Sequence, residues 1–269
     1  MMKIDSITLA KRIRRSMLKM THKGQSSHIA SGMSIADLLA VLYSDILRYK
    51  SSDPDWQKRD KFILSKGHAG AAVYACLSEL GFINSDELMT HTANGSRLSG
   101  HVSSIGVDGI EFSTGSLGHG LSVGCGFALA SKIRSDEAKT YVLLGDGECG
   151  EGSIWEAALF ASHNKLSNLF AIVDSNNLQS IKTVEETLSL EPFVDKWRSF
   201  GWNSIEVDGH DHNQLSSSFI NKSFDQDKPT CIIARTTKGK GVSFMENKVV
   251  WHYRWPREDE LEAALEELG

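Results

Sequence analysis

Apolar residues in the first 48 positions recur at the three-to-four-residue spacing of an amphipathic helix. Two separate helices are predicted, and Ser34 is a candidate N-cap for the second. Residues 23–28 lie between the helices and are polar, so we expect a loop there. The apolar positions are Ile7, Leu9, Ala10, Ile13 and Met17 in the first stretch, and Ile35, Leu38, Leu39, Leu42 and Ile46 in the second.

The next pattern is a short apolar run at residues 61–65, which predicts a buried strand. A tight turn at residues 66–70 follows, and residues 71–80 are predicted to be helical. Residues 84–114 are rich in Ser, Gly, Asn and His and show weak periodicity, so we expect loops with one short helix at 85–91. Long ordered loops in a compact domain are more often functional than not.

From Thr114 onward, helical and strand patterns alternate regularly to residue 235, and an acidic amphipathic helix is predicted at 257–269. This alternation predicts an α/β fold, with a parallel sheet covered by helices on both faces in one domain over 1–269. The carboxyl ends of such strands bind ligands, and Lys66, His68, Asp146, Asn176 and Lys238 fall there. The predicted helices are 118–133, 151–165, 192–199 and 211–222, and the strands are 140–144, 168–174, 202–207 and 229–235.

The composition narrows the kind of partner. Of 269 residues, 41% are hydrophobic and 23% are charged, with a formal net charge of −5 and no basic block, which argues against nucleic acid or an anionic membrane as partner. No apolar run reaches the roughly 18 residues of a membrane span, and the N-terminus lacks a signal-peptide core, so we expect a cytoplasmic protein. The four cysteines, Cys76, Cys125, Cys149 and Cys231, are widely spaced, which favours reduced thiols; burial is expected for all but Cys149.

Two polar side chains follow successive predicted strands, Asp146 within Gly-Asp-Gly and Asn176 after the next strand. With a backbone carbonyl beyond Asn176, for which Leu178 is the candidate, they would supply oxygen ligands for Mg²⁺ or Ca²⁺, and such an ion commonly carries a diphosphate. The alternative is structural: a strand-ending turn at Asp146 and a helix cap at Asn176. The isolated motif favours that alternative, and the surrounding sequence reverses the preference.

Several segments resemble, in order and spacing, the motifs of the transketolase family, and the resemblance extends from residue 5 to about residue 253. The Gly-Asp-Gly to Asn176 segment is similar to the thiamine-diphosphate signature of that family. The matching segments are LSKGHA at 64–69, STGSLG at 113–118, GDGECGEG at 145–152, Trp155-Glu156-Ala157, and Asn168-Leu169 with Asp174-Ser175-Asn176. The resemblance implies thiamine diphosphate and Mg²⁺ (or Ca²⁺) as cofactors.

The same resemblance implies a partner chain. Transketolases also contain a pyrimidine-binding and a C-terminal domain, and the pyrimidine-binding domain supplies the glutamate that activates the cofactor ring. We therefore expect the N-terminal subunit of a split transketolase, whose second subunit carries both domains, in a heterotetramer with two of each chain. The glutamates Glu151 and Glu156 match positions at the interface between paired active sites in the family, although acidic residues also simply favour a helix N-terminus.

Four histidines match family positions near the substrate and cofactor. His28 and His252 are expected to transfer protons at the sugar carbonyl, His101 to contact the terminal hydroxyl of the donor, and His68 to lie beside the diphosphate. The resemblance places His252 near the cofactor as well. The remaining histidines considered are interpreted as surface or satisfied core residues: His22, His91, His163, His210 and His212.

The other cofactor contacts implied by the resemblance are mostly backbone contacts. Gly115, Ser116 and Leu117 are expected to meet the aminopyrimidine, and Gly147 and Glu148 to lie beside the cofactor. A purely structural interpretation is close packing of Gly118, Gly120 and Gly124 at a helix start. For Lys238 we weigh neutralisation of the diphosphate, or ordering of the loop to His252, against a solvated surface position, and the surface position is favoured as the more common role of a lysine.

The chain departs from the family pattern after His252, where Tyr253, Arg254 and Trp255 replace glycine and small residues. We expect these bulky side chains to reshape the acceptor pocket, with Arg254 available for a phosphate, carboxylate or nucleotide, so that ordinary pentose phosphates become doubtful substrates. The favoured function is transfer of a two-carbon ketol unit from a ketose, expected to be phosphorylated, to an aldehyde. Alternatives are a ligase resembling 1-deoxyxylulose-5-phosphate synthase and a non-catalytic, cofactor-binding regulatory subunit.

Overall fold

The computed structural model describes residues 4–269 and contains a five-stranded sheet in which every neighbouring pair of strands is parallel. The strand order is β1-β2-β3-β5-β4, so the last two strands along the chain exchange places. The strands are β1 Lys61–Leu64, β2 Thr140–Gly145, β3 Leu169–Ser175, β4 Asn203–Asp208 and β5 Thr230–Arg235. The predicted α/β class is confirmed.

Helices connect and cover these strands. The α-helices are α1 Ser6–Gly24, α2 Ile29–Met33, α3 Ala36–Val41, α4 Gly70–Glu79, α5 Ser85–Leu88, α6 Gly120–Arg134, α7 Gly152–His163, α8 Val184–Thr187, α9 Phe193–Ser199, α10 His212–Phe219 and α11 Glu258–Leu268. A π-helical turn covers Leu42–Ile46, and 3₁₀ turns cover Gly67–Ala69, Gly147–Gly150 and Val249–His252. None of the helices described between residues 4 and 269 has both the length and the apolar character to cross a membrane.

Alternation along the central strands explains why helices lie on both faces of the sheet. In β2, Tyr141 and Leu143 belong to one buried cluster, whereas Val142 and Leu144 belong to the other. Successive strand side chains point to opposite faces, so a strand that is apolar at every position must be covered twice. Helices α1, α4 and α10 contribute to the first cluster, and α6, α7 and α9 to the second.

Local sequence signals account for several helix ends. The Asp5 side chain accepts a hydrogen bond from the Thr8 N–H at 2.9 Å and caps α1, which ends where Gln25 takes a left-handed conformation with φ of 47°. Asp211 caps α10 in the same way, by accepting from the Asn213 and Gln214 N–H groups. These short-range contacts explain why both helices were predictable from the sequence.

The second predicted helix is wrong in detail. It is divided into α3 and the π-helical turn, and the short helix α2 precedes it. Ser34 does not cap it, because its hydroxyl donates to the Ser31 carbonyl and to Asp174. The polar loop is shorter than predicted, since α1 runs to Gly24, and the helix predicted at 85–91 ends at Leu88. The buried contact to Asp174 on β3 outcompetes the local capping role, a tertiary effect that spacing along the chain does not reveal.

The predicted burial of Cys76, Cys125 and Cys231 is confirmed, and Cys149, for which burial was left open, is buried as well. All four thiols are buried and none forms a disulfide. Cys149 is completely buried, and its Sγ lies 3.4 Å from the Gly145 carbonyl. Burial raises the pKa of the Cys149 thiol well above its usual value, so this residue serves packing at the end of β2.

Close packing of α6 on the sheet depends on Gly124, which faces β2. A Cβ atom built there would lie 2.4 Å from Cγ2 of Val142, whereas one at Gly126 on the same helix would meet no atom within 4 Å. Thus the helix approaches the sheet closely where it lacks a side chain. The structural interpretation of the glycines at the start of α6 holds for this position.

We predict opposite effects for two alanine substitutions in α6. Gly124→Ala should lower the free energy of unfolding by about 1–3 kcal/mol, because the new methyl group overlaps Val142. Gly126→Ala is the matched control and should raise it by about 0.5–1 kcal/mol through helix propensity alone. Urea denaturation of the two variants measures both effects, and equal stabilities would contradict the close-packing explanation.

Candidate active site

The polar residues at the carboxyl ends of the strands surround one cavity of about 380 Å³. Its wall is formed by the connections after β1, β2, β3 and β5, by the start of α2, and by the segment between α5 and α6. The sequence-predicted residues that line it are His28, His68, His101, Gly115, Leu117, Asp146, Gly147, Glu148, Glu151, Asn176, Leu178, Lys238 and His252. Ser116 and Glu156 are exposed and lie outside this lining.

Asp146 and Asn176 are oriented by backbone contacts. The two oxygens of Asp146 accept from the Gly147 N–H at 2.7 Å and the Asn177 N–H at 2.6 Å. Oδ1 of Asn176 accepts from the Leu178 N–H at 3.1 Å, and its Nδ2 donates to Asp174 at 2.9 Å. Each of these oxygens retains a further lone pair, so the arrangement leaves capacity for a cation.

Asp146 is a buried carboxylate for which the structure describes no ion pair. Burial, followed by repulsion from Asp174, raises the pKa of Asp146 to about 6. A divalent cation would supply the missing positive charge, so the residues present fit a hard cation with oxygen ligands. Between residues 4 and 269, no group of three or more His, Cys, Asp or Glu side chains is placed to hold a metal ion. Ligands at this cavity must therefore include amide or carbonyl oxygens.

Lys238 is a buried residue of the cavity, which overturns the surface alternative. Its side chain is 2% exposed, and Nζ donates to the carbonyls of Leu178 at 2.9 Å and Gln179 at 3.2 Å. Burial and the nearby Lys66 lower the pKa of Lys238 to about 8. The lysine thus contacts the same Leu178 carbonyl that the sequence indicated as a metal ligand, and the second lone pair of that oxygen is left for a cation.

The contact between Lys238 and His252 defines the protonation of the imidazole. Nζ of Lys238 lies 3.1 Å from Nδ1 of His252, and an ammonium group can only donate. Nδ1 is therefore the acceptor, and neutral His252 carries its proton on Nε2. Burial and the charge of Lys238 lower the pKa of His252 to about 3, so the neutral form persists throughout the physiological range.

The four predicted histidines lie together, with His28 at the centre. Ring centroids are 5.2 Å apart for His28 and His68, 5.8 Å for His28 and His101, and 4.7 Å for His28 and His252. His28 has a left-handed backbone with φ of 71°, and its N–H donates to the His252 carbonyl at 2.9 Å. The structure therefore brings together residues that are separated by more than 220 positions in the sequence.

Three of the four histidines, His28, His68 and His252, are uncharged near neutral pH. Burial, followed by the charges of His101, Lys238 and Lys66, lowers the pKa of His28 to about 4, and burial lowers the pKa of His68 well below its usual value. Nδ1 of His28 is buried and has no hydrogen-bond partner among the described residues. A buried polar atom without a partner is costly, which points to a bound group that satisfies it.

A buried ion pair, which the sequence did not reveal, stands behind the cavity. Nζ of Lys66 contacts Oδ2 of Asp174 at 2.5 Å and donates to the Ser31 carbonyl at 3.1 Å. Asp174 also accepts from Ser34, Asn176 and Thr236. Burial opposes ionisation, but Lys66 and these hydrogen bonds hold the pKa of Asp174 below its usual value. The available signal was a carboxylate in an otherwise apolar strand, which requires a buried cation.

Glu148 connects three loops at the cavity wall. One carboxylate oxygen accepts from Ser65 and from the Gly118 N–H at 2.9 Å, and the other accepts from the Gly145 N–H at 3.0 Å. Gly118 has φ of 90°, and a Cβ there would lie 2.8 Å from Cβ of Glu151, so the turn before α6 requires glycine. Glu148 borders the cavity and positions the turn that contains Gly115 and Leu117.

Tyr74 braces the backbone around His101, which sequence reasoning missed. Its hydroxyl donates to the His101 carbonyl at 3.1 Å and accepts from the Ser103 N–H at 2.9 Å. Ser99 also donates to the His101 carbonyl, at 2.7 Å. The backbone from the His101 carbonyl to the Ser103 N–H is therefore held, although the segment lacks regular secondary structure.

The remaining histidines keep their structural interpretation. His91 is buried, with ring nitrogens near the Leu98 carbonyl and the Ser26 hydroxyl. His210 and His212 flank Asp37, and His22 contacts the Pro256 carbonyl, whereas His163 is exposed. None of these side chains is part of the cavity lining.

Comparison with known proteins identifies similar sequences and folds. Residues 6–269 match the family model described as transketolase, thiamine diphosphate binding domain. The chain is 42% identical over 269 residues to a protein of Phocaeicola vulgatus that is named as one of the subunits of an apulose-4-phosphate transketolase, covering 100% of this chain and 95% of that protein. It is 38% identical over 265 residues to a 6-deoxy-6-sulfo-D-fructose transketolase subunit of a Clostridium species, covering 98% and 96%.

Solved structures agree with these sequence relatives. The transketolase of Campylobacter jejuni superposes with a TM-score of 0.92 at 30% identity, over 100% of this chain and 43% of that chain. The chain thus spans less than half the length of that solved protein. The fold at the cavity is that of a thiamine-diphosphate-binding domain.

We predict that Asp174→Ala destabilises the protein strongly. Its removal leaves the Lys66 ammonium buried and unpaired, which should lower the free energy of unfolding by about 3–5 kcal/mol in chemical denaturation. The control combines Asp174→Asn with Lys66→Met, which removes both charges and should cost less than the single alanine substitution. If Asp174→Ala unfolds at the wild-type denaturant concentration, the ion pair does not support the fold.

A second prediction concerns pH. His28 is neutral in the folded protein down to about pH 4 but titrates near 6.5 when unfolded, so the unfolded state binds the extra proton between these values. Its stabilising contribution is complete above pH 6.5 and is lost as the pH falls toward 4. His28→Gln should therefore reduce the decline in free energy of unfolding between pH 7.5 and 5, measured with urea. His163→Gln, on the surface, is the control, and identical pH profiles for all three proteins would refute the assignment.

Proposed function

The chain belongs to the transketolase family, and from this premise we propose that it is the cofactor-binding subunit of a heteromeric transketolase. In this proposal the enzyme transfers a two-carbon ketol unit from a ketose, which we expect to be phosphorylated, to an aldehyde acceptor. The single observation that carries the proposal is the cavity where four histidines meet a carboxylate, an amide oxygen and a buried lysine. A regulatory role without catalysis would not require that combination.

The residues of the cavity suit thiamine diphosphate with Mg²⁺ or Ca²⁺. Thiamine diphosphate supplies the carbanion chemistry when it is bound. Asp146, Asn176 and the Leu178 carbonyl would hold the cation, and Lys238 and His68 would lie beside the diphosphate. The turn formed by Gly115, Ser116 and Leu117 would meet the aminopyrimidine. Gly147 and Glu148, which line the cavity, would lie beside the cofactor.

The histidines would position the substrate and move protons. Neutral His252 presents a donor at Nε2 because its Nδ1 is occupied by Lys238, and neutral His28 retains an unpartnered Nδ1. Such groups can donate a hydrogen bond to a carbonyl oxygen, or accept one from a substrate hydroxyl, without adding positive charge near the two lysines. We assign carbonyl proton transfer to His28 and His252, and contact with the terminal donor hydroxyl to His101.

A second subunit completes the enzyme in this proposal. The relatives are named as transketolase subunits and are nearly coextensive with this chain, which supports a partner carrying the pyrimidine-binding and C-terminal domains. We propose two copies of each chain, with Glu151 at the cavity and Glu156 on α7 facing the interface. Leu159 and Phe160, exposed on the same helix, are apolar surface suited to burial there. We place the assembly in the cytoplasm.

The substrate is proposed to lie outside ordinary pentose phosphate metabolism. The two sequence relatives are named for apulose 4-phosphate and 6-deoxy-6-sulfo-D-fructose, a sugar phosphate and a sulfonated sugar. The aromatic substitution after His252 is consistent with a specialised sugar. The donor and acceptor can be found by screening ketose phosphates and aldehydes with the purified pair of subunits.

Cofactor binding tests the function directly. Asp146→Ala should weaken Mg²⁺-dependent thiamine diphosphate binding by more than about tenfold in calorimetry, because it removes the charged ligand. The control is Asp136→Ala near the other end of β2, which should bind normally. Unchanged affinity in Asp146→Ala would remove this residue from the cation site.

Activity tests the division between subunits. The chain alone should show negligible ketol transfer, and activity should appear when the second subunit is added. His101→Ala in the reconstituted pair should reduce donor turnover more than cofactor affinity. High activity of the isolated chain would contradict the two-subunit proposal.

A further inference from the structure

The segment after the last 3₁₀ turn forms one side of the cavity mouth. Of the three bulky residues Tyr253, Arg254 and Trp255, only Tyr253 lines the cavity. Its ring centroid lies 4.8 Å from that of His252 and 6.2 Å from that of His28, and the residue remains 59% exposed. Tyr253 therefore stands at the rim, directly beside the two histidines assigned to proton transfer.

Arg254 does not have the role that the sequence suggested. Its guanidinium lies 4.2 Å from the ring centroid of Trp251 and forms an ion pair with Glu260 at the start of α11. The positive charge is thus already compensated, and the side chain is held on an aromatic face. Arg254 fastens the segment to α11, which argues against its availability for a phosphate or carboxylate.

The backbone on both sides of Tyr253 is anchored. On one side, the His252 carbonyl accepts from the His28 N–H and its imidazole contacts Lys238. On the other side, Arg254 is held by Glu260 and by the ring of Trp251, whose Nε1 in turn donates to the Phe244 carbonyl at 3.0 Å. The anchored backbone keeps the Tyr253 side chain at the cavity rim, where its ring lies edge-on to the His252 ring.

The chemistry around Tyr253 favours an uncharged part of a substrate. The two lysines that line the cavity, Lys66 and Lys238, are both engaged with protein oxygens behind it. The phenolic hydroxyl of Tyr253 has no hydrogen-bond partner among the described residues, so it can donate to or accept from a sugar hydroxyl. The ring takes up space at the rim of the cavity, beside the rings of His28 and His252.

We propose that Tyr253 determines the acceptor range of this subunit by excluding long aldehydes and favouring compact hydroxyaldehydes of three or four carbons. This inference rests on the proposed function, since it assumes that the cavity takes an aldehyde beside His28 and His252. It goes beyond that function because it assigns selectivity to one side chain and to its volume. Steric exclusion discriminates effectively, because a clash weakens the binding of the substrate that does not fit and leaves the binding of the other substrate unchanged.

The test compares Tyr253→Ala and Tyr253→Phe in the reconstituted pair. Ketol transfer is measured as kcat/KM for a series of unphosphorylated aldehydes, from three-carbon glyceraldehyde to a five-carbon aldose. Wild type should prefer the three-carbon acceptor. In Tyr253→Ala, the ratio of kcat/KM for the five-carbon acceptor to kcat/KM for the three-carbon acceptor should rise about tenfold. Tyr253→Phe should keep the wild-type preference, because the volume of the ring is retained.

A second measurement does not depend on catalysis. Saturation-transfer NMR follows the binding of non-reacting polyols of three to six carbons to the pair of subunits loaded with cofactor. The wild type and Tyr253→Phe should prefer the shorter polyols, and Tyr253→Ala should lose this preference. Val250→Ala is the matched control, because Val250 is exposed in the preceding 3₁₀ turn but does not line the cavity. Thermal unfolding checks that the variants are folded, which we expect for a side chain as exposed as Tyr253.

The outcomes separate this inference from the proposed function. Ketol transfer with an unchanged length preference in Tyr253→Ala would overturn the role of Tyr253 and leave the function intact. Absence of ketol transfer, with a polyol preference that depends on Tyr253, would reject the function and support the selective role. A wild-type protein with no length preference in either series would overturn the inference as well.

Discussion

The ion pair between Lys66 and Asp174 is the constraint on which the site depends. Both side chains are almost completely buried, so neither charge is tolerable without the other. Their contact joins the end of β1 to the end of β3, and hydrogen bonds to Ser34 and Thr236 add the start of α3 and the end of β5. Asn176 is oriented by the same carboxylate, and for this reason the position of a proposed cation ligand follows from an ion pair within the protein.

The two buried lysines also set the electrostatics of the cavity. Their positive charge adds to burial in keeping His28, His68 and His252 uncharged, and Lys238 further selects the tautomer of His252. Asp146, at the other side, lacks a cation of its own and is correspondingly hard to ionise in the protein alone. A divalent ion with a diphosphate matches this distribution, because the ion compensates Asp146 and the diphosphate compensates the lysines and the ion. Neutral imidazoles and charged groups in the same cavity are thus consequences of one arrangement of two buried lysines and one buried carboxylate.

Much of the fold and of the site was predictable from the sequence, for reasons that differ between residues. The strands were predictable because five apolar runs are bounded by turn residues, and Asp146 and Asn176 because they follow such runs directly. Ser34 was assigned wrongly as a cap because its real partner, Asp174, is 140 residues away. Lys238 was given a surface alternative because a lysine is usually solvated, and only the packing of the Leu178 turn over it shows its burial. Tyr74 was missed since a tyrosine on an apolar helix carries no local sign that its hydroxyl braces another loop.

The sequence by itself determined the class of fold, the edge of the sheet where chemistry would lie, and, through its motifs, the family. These properties are encoded in short-range patterns: alternation along strands, helical spacing and polar residues at strand ends. The tertiary structure decided which of those polar residues meet, which are engaged with one another, and which remain available to a ligand. It made Arg254 a structural clamp and left Tyr253 at the cavity, although the two are adjacent in the chain. The physical reason is that burial, pairing of charges and exclusion of volume depend on contacts between distant segments, and these contacts exist only once the sheet has brought its loops together.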